Sequence, residues 1–119
     1  MERESLGAAG RRVLVEERLE GEEVSVLVLT DGENIIPLAS AQDHKRVFDK
    51  DRGPNTGGMG AYSPCPFLSN EDFHKVLEKT VRPVLGALAK EGKPYRGVLY
   101  AGLMLTKNGP SVLEYNCRF

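Results

Sequence analysis

Residues 96–118 read RGVLYAGLMLTKNGPSVLEYNCR, and this stretch decides the fold. Its first part, 96–106, is apolar at nearly every position, which predicts a strand with two apolar faces. Asn108-Gly109 is a strong turn signal between strand-like runs. Residues 111–118 then form a returning strand. The stretch therefore predicts an antiparallel β-hairpin.

Three more strands are predicted upstream. The runs are 12–17 (RVLVEE), 23–30 (EVSVLVLT) and 33–39 (ENIIPLA). Both faces of 23–30 are largely apolar, so we expect this strand to be buried on both sides. The Asp-Gly pair at 31–32 predicts a two-residue hairpin turn into 33–39. Pro37 places that strand at a sheet edge or near its end, because proline cannot donate to a β-ladder.

A long amphipathic helix is predicted between these strands. Ser69 can cap its start, with Asp72 completing a short capping box. Pro83 should kink the helix near Arg82, and Gly92 should end it. The element order predicts an α+β fold in which one long helix packs on a mostly antiparallel sheet, the arrangement of a two-layer domain. The apolar stripe with helical spacing consists of Phe73, Val76, Leu77, Val81, Val84, Leu85 and Leu88.

Size and charge limit the functional classes. The 119 residues suit one domain, and a net charge of −1 provides no basic field for nucleic acid. No run approaches the roughly 18 apolar residues of a membrane span, and no secretory h-region is present. Cys65 and Cys117 could pair by count alone, but we read them as free thiols of a cytoplasmic protein. Phe119 follows a strand-like run directly, so we expect a fragment of a larger protein.

Residues 40–66 show no periodic pattern, and a loop this long is usually functional or disordered. Its centre, 49–64, reads DKDRGPNTGGMGAYSP and holds four glycines and two prolines. Glycine lets a backbone approach a ligand closely, and successive N–H groups can bind an anion. The loop is therefore either a phosphate pocket or a long surface turn. His44, in front of it, is either an exposed side chain or a ligand contact.

The last strand carries a polar row. Because side chains alternate along a strand, Glu114, Asn116 and Arg118 should share one face. A carboxylate and an amide oxygen suit Mg²⁺, and an arginine suits the phosphates that accompany it. The alternative is a strand face that is polar because it meets water. Leu113, Tyr115, Cys117 and Phe119 should lie on the opposite face.

An acidic cluster lies near the N-terminal end of the sequence. From composition alone it is best explained as a solvated hairpin edge. The cluster consists of Glu16, Glu17, Glu20, Glu22 and Glu23.

Four segments together resemble the phosphoribosylamine–glycine ligase family of the ATP-grasp superfamily. The resemblance runs from about Gly7 to Phe119, and GPNTGGMGAYSP with QDHKR before it is its most specific part. It implies that ATP phosphorylates the glycine carboxylate and that 5-phosphoribosylamine then displaces phosphate, an early step of purine synthesis. The segments are VLVEERLEGEEVSV, SAQDHKRVFDKDRGPNTGGMGAYSPCP, YRGVLYAGLML and VLEYNCRF.

The resemblance also implies roles for individual residues. Glu114 and Asn116 match Mg²⁺ (or Mn²⁺) ligands, and Arg118 matches an arginine near the transferred phosphoryl group. The backbone around Glu16, Glu17 and Leu19 matches the hinge that binds the adenine of ATP, and Glu23 matches a ribose contact. The side that binds glycine and phosphoribosylamine would include Asp49, Lys50, Pro54, Asn55, Thr56, Gly57, Gly58, Met59 and Gly60.

The resemblance covers only part of the family's architecture. It implies that 1–119 is a partial ATP-grasp domain, the C-terminal jaw, without the lid subdomain or the N- and C-terminal domains. Its partners would be small-molecule substrates and the remaining domains of a parent chain, and the jaw alone should be inactive. Two alternatives stay open: another ATP-grasp carboxylate–amine ligase or carboxylase, and a non-catalytic nucleotide-binding or interaction domain.

Overall fold

A computed structural model describes residues 7–50 and 52–119 as a two-layer α+β structure. The predicted fold class is confirmed. Within these residues, six strands and one interrupted helix follow a short 3₁₀ turn at Gly7–Arg11. The strands are β1 (Glu22–Thr30), β2 (Ile35–Pro37), β3 (Gln42–Phe48), β4 (Arg52–Tyr62), β5 (Gly97–Thr106) and β6 (Gly109–Asn116), and the helices are α1 (Asn70–Val76) and α2 (Arg82–Lys90).

The main sheet is antiparallel in the order β2-β1-β5-β6. β1 pairs with β5 along its whole length, from Glu22 opposite Leu105 to Thr30 opposite Gly97. β2 is an edge strand, as Pro37 predicts. The turn before it spans residues 31–34 rather than two residues, because the Asp31 carboxylate accepts hydrogen bonds from the backbone N–H groups of Glu33 and Asn34.

The helices cover one face of this sheet. Val24, Val26 and Val28 point into the core, whereas Leu29 on the other face is 37% exposed. The expectation that β1 is buried on both sides is therefore wrong, because the helical layer packs against one face only. The core cluster comprises Val24, Val26, Val28, Cys65, Val76, Leu77, Val81, Leu85, Leu99, Ala101 and Leu103.

The helical layer begins and ends as predicted. The Ser69 hydroxyl accepts a 3.1 Å hydrogen bond from the Asp72 backbone N–H and donates to the Asp72 carboxylate. The interruption, however, is a π turn at Leu77–Val81 directly before Pro83. Proline has no N–H for the carbonyl four residues earlier, so a change in the hydrogen-bond pattern at this point has a direct cause.

Two predictions about the N-terminal half are wrong. Residues 13–20 form no regular element, and Val13, Leu14 and Val15 are at least 79% exposed, so 12–17 is not a strand. An apolar run becomes a strand only with a partner for its backbone, and none lies beside it within the described residues. Residues 40–66 are not a loop, since β3 and β4 form an antiparallel hairpin there.

Candidate functional site

The face of the sheet opposite the helices, which we call the open face, carries most of the predicted polar residues. Between this face and β3 lies a cavity of about 180 Å³, the central cavity. Its polar side chains are Glu23, Ser25, Asp43, Lys45, Tyr100 and Glu114. β1, β3, β5 and β6 each contribute, so the cavity exists only in the folded chain.

Lys45 joins β3 to the open face. Its ammonium lies 3.3 Å from the Glu23 carboxylate, and both side chains are between a third and two fifths exposed. Burial acts to lower the pKa of Lys45, but the attraction and hydrogen bond to Glu23, together with Tyr100 and Asp43, outweigh it and raise the pKa above the ordinary value. Lys45 is therefore a fixed positive charge in a cavity with three carboxylates.

Gly102 brings two of these side chains together. It lies opposite Glu114 on β6, and a Cβ at Gly102 would be 3.2 Å from the Cγ of Glu114 and 3.2 Å from the Tyr100 ring. The Tyr100 hydroxyl lies 3.1 Å from the Ser25 hydroxyl. The absence of a side chain at Gly102 thus gives Glu114 and Tyr100 room to converge at the cavity wall.

β6 contains a bulge next to Glu114. Gly102 pairs with Glu114 but the adjacent Leu103 pairs with Val112, so Leu113 is an extra residue. In such a bulge two successive residues oppose one on the partner strand. Leu113 lines the central cavity beside Glu114, so the prediction that Leu113 points to the opposite face is wrong.

Beyond the bulge, the ordinary alternation returns. Asn116 pairs with Tyr100, and Glu114 pairs with Gly102, so both point to the open face, about 6.6 Å apart along the strand. β6 ends at Asn116, two residues earlier than predicted. Arg118 therefore lies outside the ladder, is exposed, and donates from Nη1 to the Phe119 carbonyl at 2.7 Å.

A second, larger groove of about 470 Å³ lies beside the central cavity. Leu19 and Glu23 line one side and Asn55 the other. The groove shares Glu23, Asp43 and Lys45 with the central cavity. The structure thus brings part of the predicted adenine hinge, part of the glycine-rich segment and Glu114 onto one continuous surface.

The glycine-rich segment is a strand with a wide bulge. His44 pairs with Gly60 and Arg46 with Asn55, so Thr56, Gly57, Gly58 and Met59 lie opposite a single residue, Lys45. The Thr56 hydroxyl donates to the Lys45 carbonyl at 2.7 Å and accepts from the Gly58 N–H at 3.2 Å, which ties the bulge to β3. A Cβ at Gly58 would lie 3.5 Å from the Asp43 carboxylate oxygens.

Other predicted residues lie apart from the two concavities. Glu16 and Glu17 are exposed in the irregular segment, and neither lines the cavity or the groove. Asp49 and Lys50 form the exposed turn between β3 and β4, and Pro54 is exposed on β4. Asp51, within the predicted loop, lies outside the described residues.

Sequence reasoning did not assign roles to Asp43, Lys45 and Tyr100. Asp43 and Lys45 are two residues apart on β3 and both line the central cavity. A period of two in QDHKR could have placed them on one face, but only if that polar run had been read as a strand. His44 lies on the larger groove and its ring packs 5.2 Å from that of Tyr62.

The donor set partly fits a divalent cation. A carboxylate and an amide oxygen on one strand face are ligands that Mg²⁺ accepts, and this ion is usually held by one or two protein groups plus phosphates. Within residues 7–50 and 52–119, no three acidic, histidine or cysteine side chains form a ready metal site. The arrangement therefore suits a cation that arrives with a phosphorylated ligand.

Two solved structures define the class of this fold. A phosphoribosylamine–glycine ligase from Thermotoga maritima superimposes with a TM-score of 0.77 at 43% identity, over 87% of this chain and 26% of that one. An ATP-grasp superfamily protein from Archaeoglobus fulgidus superimposes with a TM-score of 0.59 at 24% identity, over 87% of this chain and 29% of that one. The fold is that of ATP-grasp proteins.

The family follows from the sequence comparison. The profile described as "Phosphoribosylglycinamide synthetase, ATP-grasp (A) domain" matches residues 1–119, and the chain belongs to this family. Phosphoribosylamine–glycine ligase of Vibrio parahaemolyticus is 57% identical over 97% of the chain and 27% of its own length. The trifunctional purine biosynthetic protein adenosine-3 of Gallus gallus is 60% identical over the whole chain and 12% of its own length.

The chain thus spans about a quarter of the bacterial relative and about an eighth of the avian one. In the part of the chain that the structure describes, no helix is long and apolar enough to cross a membrane.

Proposed function

We propose that the chain is one jaw of an ATP-grasp ligase that joins glycine to 5-phosphoribosylamine in purine synthesis. One observation carries the proposal: Glu114 and Asn116 share the open face, and Glu114 lines a cavity that continues into the groove lined by Leu19 and Asn55. An identity of 57% to a relative named phosphoribosylamine–glycine ligase and of 60% to one named as a purine biosynthetic protein support it.

The reaction that we propose has two transfers. The glycine carboxylate attacks the γ-phosphorus of ATP, the bond to the β-phosphate oxygen breaks, and glycyl phosphate and ADP form. The amine of phosphoribosylamine then attacks the glycyl carbonyl carbon, loses a proton, and phosphate leaves. Phosphoryl transfer depends mainly on positioning and on compensation of negative charge, which are the tasks that this surface can perform.

Mg²⁺ or Mn²⁺ would be held by the Glu114 carboxylate and the Asn116 amide oxygen. When bound, the cation neutralises charge on the phosphates. Lys45 adds a positive charge at the other wall of the central cavity, and Arg118 carries another just beyond the end of β6. Both can pair with phosphate oxygens, since charge-assisted hydrogen bonds are the stronger ones.

The larger groove would hold the rest of the nucleotide and the acceptor side. The backbone from Glu16 to Leu19 would contact adenine, and Glu23, already on the groove wall, would contact ribose. The segment from Asp49 to Gly60 would line the side where glycine and phosphoribosylamine bind. Within this segment Asn55 lines the groove, and the adjoining bulge at 56–59 is held by Thr56.

This jaw would act together with further domains of a parent chain. ATP in this superfamily is clamped between two subdomains, so we expect the remaining domains of a parent chain to complete the site. The trifunctional name of the avian relative suggests that such a chain can carry further purine-pathway domains. Cys65 and Cys117 are unpaired, which suits a reducing, cytoplasmic location.

A chimera tests the proposal. The 119 residues replace the matching part of the Thermotoga maritima ligase, and ADP formation is followed with glycine and phosphoribosylamine. We expect turnover that requires both substrates. In the chimera, Glu114→Gln should lower this turnover by at least about tenfold. Replacing even a residue that only hydrogen-bonds to a metal ligand lowers metal affinity or activity by about 10–100-fold.

Glu33→Gln is the matched control, because this carboxylate is exposed on the turn between β1 and β2. It should leave turnover unchanged. A chimera that folds as stably as the parent enzyme but forms no ADP would refute the proposal, as would full activity in Glu114→Gln. The 119 residues alone should form no ADP.

A further inference from the structure

We infer that Tyr115 is a positioning residue: it ties β6 to the helical layer so that Glu114 faces the central cavity and Asn116 lies on the same open face. The inference rests on the proposed function, because it concerns the strand that would carry the metal ligands. Tyr115 lies between those two residues, and its side chain points to the opposite face of the sheet, toward the helices.

β6 needs such a tie because its own hydrogen bonding is incomplete. It is an edge strand, and within the described residues it pairs only with β5. The bulge at Leu113 interrupts that ladder immediately before Glu114, and the strand ends at Asn116. The three residues from 114 to 116 are therefore held on one side only, between an irregularity and a strand end.

Tyr115 provides the second attachment. Its hydroxyl donates a 2.7 Å hydrogen bond to the backbone carbonyl of Thr80. Thr80 is only 4% exposed, and its own hydroxyl donates to the Val76 carbonyl at 2.8 Å. Val76, one helical turn before Thr80, and Val81, directly after it, belong to the core. The anchor point is therefore one of the most firmly packed parts of the chain.

The anchor is also the site of the π turn. The Arg82 N–H bonds to the Leu77 carbonyl, five residues back, so the carbonyls of this turn differ in direction from those of a regular helix. β6 contacts this turn, and the bond from Tyr115 ends on it. The helical irregularity next to Pro83 and the position of the candidate metal ligands are thus physically linked.

Tyr115→Phe removes only the hydroxyl and tests this link. In the chain itself, we expect the backbone amides of 114–116 to exchange hydrogen faster, since the strand loses one of its two attachments. In the chimera, we expect the Mg²⁺ concentration for half-maximal turnover to rise about tenfold, because metal ligands must be held within about 0.5 Å.

Thr106→Val is the matched control. It also removes a hydroxyl that donates to a backbone carbonyl, that of Gly109, and accepts from the Asn108 N–H, at the far end of the same hairpin. It should lower stability without changing the Mg²⁺ requirement or the exchange of 114–116. Urea unfolding of both variants shows whether they are comparably destabilised.

The possible results distinguish a failure of the inference about Tyr115 from a failure of the proposed ligase function. If the unsubstituted chimera is active and Tyr115→Phe needs no more Mg²⁺ than Thr106→Val, the inference is overturned and the proposed function stands. If amide exchange at 114–116 is unchanged in Tyr115→Phe, the inference also fails. If the folded, unsubstituted chimera forms no ADP, the proposed function fails and takes the inference with it.

Discussion

Replacing Gly21 with alanine should disrupt the start of β1. The Cβ of an alanine would lie 2.1 Å from the carbonyl oxygen of Leu105 and 2.8 Å from its carbonyl carbon. Both are backbone atoms of β5, so no side chain can turn away to relieve the contact. The next residue, Glu22, pairs with Leu105 and begins the main β-ladder. The two strands must therefore separate at this end.

Two costs add at this position. Gly21 has a φ of 157°, a conformation that costs a residue with a Cβ about 1–3 kcal/mol. Forcing extra volume into a packed site costs a further 1–3 kcal/mol or so. The expected loss in unfolding free energy is about 2–6 kcal/mol. This is a large part of the roughly 5–15 kcal/mol that stabilises a typical domain.

Gly60→Ala separates the two costs. Gly60 has nearly the same φ, 158°, but nothing lies within 4 Å of the position of its Cβ. Urea unfolding of both variants, followed by circular dichroism, measures the difference. With a typical slope of 1–3 kcal/mol per M, we expect the Gly21→Ala midpoint to lie roughly 1 M below that of Gly60→Ala. Equal midpoints would refute the argument from the contact with Leu105.

Three further outcomes follow from the contacts described above. Ser69→Ala should lower the unfolding free energy by about 1 kcal/mol, measured in urea, because α1 loses its capping hydroxyl; no loss would contradict the cap. Leu103→Ala should cost about 2–5 kcal/mol because Leu103 is fully buried, whereas Leu29→Ala on the open face should cost clearly less in the same assay. Hydrogen bonds from Asn34 and Glu33 lower the pKa of Asp31 to about 2, so the folded state binds fewer protons than the unfolded state. The ionised Asp31 carboxylate therefore stabilises the fold fully above about pH 4, and this stabilisation is lost as the pH falls toward 2. Asp31→Asn should flatten the pH dependence of the urea midpoint between about pH 4 and 2, and an unchanged slope would contradict this.

The parts of the fold that could be predicted are those with a strong local pattern. β5 and β6 flank a turn at Asn108, and β1 alternates valines, so their hydrophobic periodicity predicts them. The helical start at Ser69 has a cap that acts locally. These elements are specified by neighbours in sequence, and they were predicted nearly to their ends.

The hairpin of β3 and β4 could not be predicted in the same way. Most of its side chains are exposed, and its strands mainly pair with each other. Its order depends on backbone pairing, which leaves no apolar pattern in the sequence. At Val13–Val15, by contrast, the apolar run predicted a strand that does not form, because it has no partner strand within the described residues.

The candidate site also combines features that the local sequence pattern encodes with features that depend on tertiary structure. The common face of Glu114 and Asn116 follows from the two-residue period of a strand. The convergence of Lys45 with Glu23 depends on how the hairpin lies against the sheet, which no local pattern encodes. The bulge that turns Leu113 to the cavity depends on the register between β5 and β6.

The attachment of the hairpin has a mechanical consequence. Near its base, Ala41 exchanges two backbone hydrogen bonds with Ser25, and the Lys45–Glu23 ion pair lies a short distance further along. The seven residues of β3 make an arm of about 23 Å. On such an arm, a rotation of about 5° at the base moves the tip by about 2 Å. The ion pair lies about halfway along this arm, so a change in its length moves the turn by about twice as much. Salt screens the pair and should therefore loosen this second restraint on the hairpin.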